Sequence, residues 1–208
     1  MFGISVFGDS ITFGRGNNLD RGWCGRLRKY FESKNYYNCL YNLGLCGDTT
    51  NNLLDRFDAE AKARVKFIRD QDRQVIIFSI GINDSRLLGK DKIPETKIDD
   101  FEKNIQILID KAKNYTKEIL FIGLTPVDES ITLDYEDTIF NNERVKQFND
   151  KVKELCQKNN FPFFDMFQEF SKLNYQKLLD DGLHPNSEGY EEMYKLIQNF
   201  LIQKQIVD

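Results

Sequence analysis

Four short segments of this 208-residue chain carry the side chains that acyl transfer requires. Phe7-Gly-Asp-Ser10-Ile-Thr-Phe-Gly14 offers a hydroxyl, Asn42-Leu-Gly-Leu-Cys46-Gly47-Asp-Thr-Thr50 and Gly81-Ile-Asn83-Asp-Ser85 offer N–H donors, and Asp181-Gly-Leu-His184-Pro-Asn186 offers an imidazole three residues after a carboxylate. Acyl transfer needs a nucleophile, a base beside it, a group that fixes the base's tautomer, and donors for the tetrahedral oxyanion. His184 is the single histidine, and that count excludes every zinc or copper site needing two or more imidazoles. If the chain does histidine chemistry, His184 does it.

Each residue also has a structural reading. Ser10 lies one residue past a Gly-Asp turn, where its hydroxyl stands at a sheet edge with its own N–H free, but a serine there also caps a helix. Gly8 lets the chain turn sharply and lets substrate approach. Asp9 is expected to hold the turn as an acceptor aimed at backbone N–H groups, ionised at pH 7. The i−3 spacing lets Asp181 accept from Nδ1–H of His184, leaving Nε2 for the serine proton. Asp180 is the rival orienting acid, with the spacing slightly favouring Asp181. Asn83 can donate toward the point served by the Ser10 amide, although Asn after a strand is commonly a turn residue. Gly47 precedes a plausible helix start, so its N–H is expected in an anion-receptive set of free amides. Gly44 is its rival as the glycine the turn needs.

Periodicity says which elements must position these groups. Strand patterns cover Ile4–Phe7, Cys39–Asn42, Gln74–Ile80, Glu118–Gly123 and Pro162–Asp165. Between them lie helical stripes: Trp23, Leu27 and Tyr30–Phe31; Leu53–Leu54, Phe57, Ala61, Val65 and Ile68; Ile98, Phe101, Ile105, Leu108–Ile109 and Ala112; Val145, Phe148, Val152 and Leu155. A last stripe, Tyr190, Met193, Ile197 and Phe200–Leu201, is entered through Pro185-Asn-Ser187, where a polar cap fits. This β-α repeat predicts an α/β fold of three layers, a doubly wound five-stranded parallel sheet in the order 2-1-3-4-5 forming one domain over residues 1–208. Ligands in such a sheet sit beyond the carboxyl ends of the strands where the order reverses, here between the first and third strands. All four segments follow strands or precede the last helix. The longest irregular stretches, Ser85–Glu95 and Thr125–Asp137, overhang the same edge, either as plain connections or as pocket walls.

Composition narrows the partners. With 29 basic and 33 acidic residues the net charge is −4, without the basic excess that holds nucleic acid or an anionic membrane. The longest apolar runs, such as Val75–Ile80, are far short of the ~20 residues of a membrane span. Met1 leads almost directly into a strand with no signal-peptide pattern, which, with four cysteines (24, 39, 46 and 156) lacking any C-x-x-C pair, reads as a cytoplasmic chain with reduced thiols.

Taken together, Phe7-Gly-Asp-Ser10-Ile-Thr, Gly47-Asp-Thr-Thr50, Gly81-Ile-Asn83-Asp84 and Asp181-Gly-Leu-His184 resemble the four blocks of the GDSL, or SGNH, serine hydrolases, in that family's order and across the whole chain. The resemblance implies a flavodoxin-like α/β/α fold and no cofactor. It casts Ser10 as nucleophile and amide donor, Gly47 and Asn83 as the other oxyanion donors, and Asp181 and His184 as the rest of the triad. Ile11 replaces the leucine of the family's first block, one aliphatic for another, and Cys46 places a thiol beside Gly47. The reaction expected is hydrolysis of a small acyl ester or thioester through an acyl-enzyme on Ser10, with sugar O-deacetylation and lysophospholipid cleavage as variants within the family. The substrate partners are then an acyl ester and water, and the Leu87–Ile93 and Val127–Tyr135 regions are expected to shape the pocket. Three other readings compete: a flavodoxin-like flavin or nucleotide binder, whose first loop lacks G-x-x-x-x-G-K-[ST] and carries the anionic Asp9; a cysteine hydrolase on Cys46 and His184; and an inactive interaction protein.

Overall fold

Strand β1 (Phe2–Gly8) is buried on both faces from Gly3 onward, as befits the middle of a parallel sheet covered on two sides. The computed structural model describes residues 1–17, 19–133 and 137–207. In it β1 pairs in parallel along its whole length with β2 (Asn38–Gly44) on one side and β3 (Arg73–Ser79) on the other. A short antiparallel sheet is built from β4 (Leu87–Leu88), β5 (Ile93–Pro94) and β7 (Thr138–Ile139). The main sheet continues through β6 (Glu118–Ile122) to β8 (Phe163–Phe164), giving the order β2-β1-β3-β6-β8. Counted over its own five strands, this is the expected 2-1-3-4-5.

The helices are α1 (Ser10–Phe13), α2 (Gly22–Lys34), α3 (Thr50–Arg64), α4 (Ile98–Ala112), α5 (Glu129–Thr132), α6 (Asn142–Asn159), α7 (Met166–Ser171) and α8 (Ser187–Gln203). Local chemistry sets their ends. Thr49 and Asn52 cap α3 reciprocally, with the Asn52 side chain accepting from the Thr49 amide at 3.0 Å. Asn186 caps α8 by accepting from the Gly189 amide at 3.0 Å. Asn160, in the left-handed region at φ 58°, ends α6.

Side-chain parity sorts the helices into two layers. Phe7, Phe78, Phe121 and Phe163 stand in one register row across β1, β3, β6 and β8. Phe7 and Phe78 meet Phe57 of α3 at ring separations of 4.8 and 5.6 Å, and Phe78 stacks on Phe121 at 4.9 Å. Residues of the opposite parity face the other layer: Phe2 meets Phe31 of α2, and Phe164 meets Phe200 of α8. Helices α3, α4 and α6 form the first layer; α1, α2, α7 and α8 form the second.

Two expectations change. The apolar stripe of α3 stops at Arg64, so Ile68 lies beyond the helix, 74% exposed; Val65 still docks as the C-cap. The segments 85–95 and 125–137 are not simple connections, because β4 pairs with β5 within the first and with β7 directly after the second, and the Gly89 amide donates to the Asp137 carbonyl at 2.6 Å. Residues 134–136, including Tyr135 of the expected pocket wall, lie outside the described residues.

The aromatic row dictates a cost. Phe78→Ala, fully buried between three rings, is expected to lower unfolding free energy by about 3–5 kcal/mol, measured as a shift of the urea midpoint at constant slope. A loss below about 1 kcal/mol would show that the core collapses around the cavity.

Candidate active site

The carboxyl end of β1 delivers Gly8 and Asp9 into a turn, and α1 begins at Ser10. Asp9 caps that helix, its Oδ1 accepting from the Ile11 amide at 2.9 Å. As the first helical residue, Ser10 has no carbonyl within reach of its N–H along the helix, and among the described residues its N–H has no backbone partner. Gly8 is needed for packing. A Cβ there would come within 2.2 Å of Thr12 Oγ1 and 2.4 Å of the Ser79 carbonyl, so the expected role of opening a path for substrate is replaced by a close approach of β1, α1 and β3.

The segment before α8 brings the histidine back to this point. Ser10 Oγ lies 2.8 Å from His184 Nε2, and His184 Nδ1 lies 2.8 Å from Asp181 Oδ2. The other carboxylate oxygen, Oδ1, accepts from the amides of Leu183 at 3.0 Å and His184 at 2.7 Å. Burial raises the pKa of Asp181. The hydrogen bonds from the His184 ring and the two amides outweigh it and hold the carboxyl well below the ordinary carboxylate range. An ionised carboxylate only accepts, so Nδ1 donates to Asp181 and Nε2 is the ring nitrogen turned to the serine hydroxyl. Asp180, the rival, acts through its backbone: its N–H donates to the His184 carbonyl at 2.8 Å.

Glycine makes this loop possible. Gly182 sits at φ +84°, and a Cβ there would lie 2.9 Å from Ile131 Cβ. The Asp128 amide donates to the Gly182 carbonyl at 2.8 Å, so the segment around α5 buttresses the loop that carries His184.

The segments after β2 and β3 carry the other two expected donors. Gly47 is at φ +85° with open space around it, and its N–H has no partner among the described residues. Its rival Gly44 is a packing residue, since a Cβ there would lie 2.3 Å from the Phe13 amide and 2.7 Å from the Asp9 carbonyl. Asn83 is buried and donates one N–H to the Asp48 carbonyl at 3.0 Å, leaving its second N–H. The expectation that Gly47 shares the free amides of the α3 start needs correction. The Thr50 amide is taken by Asp84 at 2.9 and 3.1 Å, and the Asn52 amide by Thr49 Oγ1.

Two residues carry more than their spacing suggested. Asp9 is not a plain ionised acceptor: burial, opposed by the bonds from the Ile11 and Thr12 amides and reinforced by the charges of Asp84 and Asp48, pushes its carboxyl up to about 7. Asp84, given no role by its spacing, accepts from Thr50 Oγ1 at 2.6 Å as well as from its amide. Thr50 Oγ1 accepts in turn from Asn104 of α4 at 3.0 Å. An aspartate immediately after the strand-end asparagine was the available signal, but its partners lie 34 residues upstream.

The competing chemistries fare less well. Asp9 occupies the start of α1 where a cradled phosphate would need amides. Nε2 of His184 is engaged by Ser10, while the Cys46 thiol is exposed; all four cysteines are free. Among the described residues no helix is long and apolar enough to cross a membrane.

Fold and site together define a class, the doubly wound α/β/α proteins with a hydrogen-bonded serine, histidine and aspartate beyond the carboxyl edge of the sheet. The chain belongs to the GDSL-like lipase/acylhydrolase family, whose model matches residues 6–192. It is 29% identical over 140 residues to the isoamyl acetate-hydrolyzing esterase of Saccharomyces cerevisiae, a match covering 60% of this chain and 56% of that esterase, just over half its length. A lipase/acylhydrolase from Enterococcus faecalis superposes with a TM-score of 0.77 at 20% identity, over 98% of this chain and 97% of its own. An acetylxylan esterase from Geobacillus stearothermophilus gives 0.71 at 17%, over 96% and 93%. At these identities the two structures show the shared fold.

The perturbed Asp9 predicts a slope. Folded, it keeps its proton up to about pH 7; unfolded, it releases it above the ordinary value of 3.8. Folding therefore takes up a proton between these values, and stability falls as pH rises through that window. Asp9→Asn keeps a capping oxygen without the titration, so urea unfolding from pH 4 to 7 should show a shallower decline than the parent. Parallel slopes would mean that Asp9 is ionised in the fold.

Proposed function

We propose that the chain is a serine esterase that hydrolyses short-chain acyl esters, with Ser10 as nucleophile, His184 as base, Asp181 as the group orienting the imidazole, and the N–H groups of Ser10, Gly47 and Asn83 as oxyanion donors. The observation that carries this reading is the continuous hydrogen-bond path from Ser10 Oγ through both ring nitrogens of His184 to Asp181. That the yeast relative is an esterase of isoamyl acetate, a small acetate ester, supports a short acyl group.

In the first half-reaction Nε2 takes the Ser10 proton as Oγ attacks the carbonyl carbon. Negative charge moves to the carbonyl oxygen, facing the three donors. The imidazolium, stabilised by Asp181, then gives its proton to the departing alcohol as the C–O bond breaks, leaving an acyl-serine. Water repeats the sequence, its proton going to Nε2 and its oxygen to the acyl carbon, and Ser10 leaves with the proton restored. No cofactor enters this scheme.

Hydrolysis of p-nitrophenyl acetate through decanoate, with acetylated xylose and lysophosphatidylcholine alongside, tests the reading. Acetate should turn over fastest; inactivity across the set would refute the esterase assignment. Ser10→Ala and His184→Ala should each cost about 10⁴-fold or more in kcat. Asn83→Ala should cost about 10²–10³-fold in kcat with KM little changed; unchanged kcat would remove Asn83 from the oxyanion site. Retention of activity in Ser10→Ala together with inactivation by a thiol alkylator would instead point to Cys46.

A further inference from the structure

Arg56, on the second turn of α3, contacts no part of the proposed catalytic set, yet its guanidinium spans two of the segments that hold it. Its Nε donates to Asp48 Oδ2 at 2.7 Å, its Nη2 to the Gly8 carbonyl at 3.1 Å, and its Nη1 to Glu60 Oε2 at 3.2 Å. The side chains of Arg56 and Asp48 are only 14% and 13% exposed, so the pair is shielded and not a surface ion pair of negligible worth. Gly8 is two residues before Ser10, and Asp48 directly follows Gly47. The Asp48 carbonyl in turn receives the Asn83 side chain at 3.0 Å. One planar, forked cation therefore fixes the spacing between the nucleophile turn and the segment that bears Gly47 and receives the Asn83 side chain, a task a point charge on a flexible stem performs poorly.

Charge gives the contact a second purpose. The Asp48 carboxylate is near enough to raise the pKa of Asp9, and an uncompensated anion beside an oxyanion opposes the charge that develops there. Arg56 compensates it.

We infer that Arg56 is a positioning residue for the oxyanion site, holding the Gly47 N–H in register with the Ser10 N–H and the Asn83 side chain. The inference rests on the esterase reading above. It would set kcat more than KM, because oxyanion donors act on the transition state.

The test compares the parent with Arg56→Ala and Arg56→Lys on p-nitrophenyl acetate, with active sites counted by a covalent serine-directed phosphonate, and Arg56→Ala assayed with added guanidinium chloride at millimolar concentration. Arg56→Ala should lose about 10–100-fold in kcat per titrated site, less than removal of a whole donor, with KM within about twofold. Guanidinium should restore part of the loss, and Arg56→Lys should fall between, keeping the charge on Asp48 without the fork. An unchanged kcat per site, or a loss that guanidinium leaves untouched, overturns the inference. If the parent hydrolyses no ester, the esterase reading fails separately, and amide hydrogen exchange of residues 45–48 in Arg56→Lys still decides the anchoring. Faster exchange than in the parent supports it; equal exchange overturns it.

Discussion

A carboxylate taken out of water must recover its lost hydration in hydrogen bonds, and Asp84 does so in a way on which the rest of the site depends. It lies fully buried at the turn that follows β3, and its two oxygens collect the amide and hydroxyl of Thr50 at the first residue of α3. The Thr50 hydroxyl then receives Asn104 of α4. One buried carboxyl group thus fastens the end of the central strand to the start of one helix and, through it, to a second. Burial pushes its pKa up, and the Thr50 hydrogen bonds oppose that rise. Asn83, its immediate neighbour, is held by the same anchor, and so is the end of the 45–49 segment from which Gly47 projects.

With that anchor in place, a division of labour among the surrounding acids becomes intelligible. Asp181 is ionised and accepts three hydrogen bonds, two from amides and one from the imidazole. Asp48 is paired with Arg56. Asp9 has only backbone amides and no cation to offset its burial, and its carboxyl rises to about 7. Three anions confined to one strand edge would repel the oxyanion that the donors are arranged to receive. Pairing one with a histidine, one with an arginine, and leaving the third partly protonated relieves that repulsion while keeping each side chain's structural use.

The large elements were legible because burial on both faces leaves an unmistakable pattern. Runs such as Val75-Ile-Ile-Phe have no polar alternation, and the α4 and α6 stripes repeat every three or four residues with few interruptions. Ile68 misled because an apolar residue can continue a helical spacing after the helix has ended; Val65 closes α3 and the chain leaves. The triad was also legible, since a carboxylate three residues before a lone imidazole is a local geometry. What spacing could not show was anything decided by distant backbone. Gly8 and Gly44 look like catalytic or turn glycines until the packing of Thr12, Ser79 and Phe13 against them is seen. Asp84 with Thr50 and Arg56 with Gly8 are separated by 34 and 48 residues, too far for any periodicity to register. The β4, β5 and β7 pairings are two residues long, below the length at which alternation can be read.

The lone histidine shows how local and distant constraints combine. An imidazole acting as base must hold one tautomer and one orientation, and a chain with no second histidine has nothing to take over if this one swings away. His184 is restrained at four points: its ring by Asp181 and Ser10, its amide by Asp181, and its carbonyl by the Asp180 amide. Three of these arise within five residues of chain and need only the left-handed Gly182 to close the loop. The fourth depends on Ser10 arriving from the far end of the sequence at the first residue of α1, where β1 and the Asp9 cap put it. The carboxyl edge of the sheet is therefore a requirement of the chemistry, because only there does a strand end hand a side chain to a helix start with its amide still free.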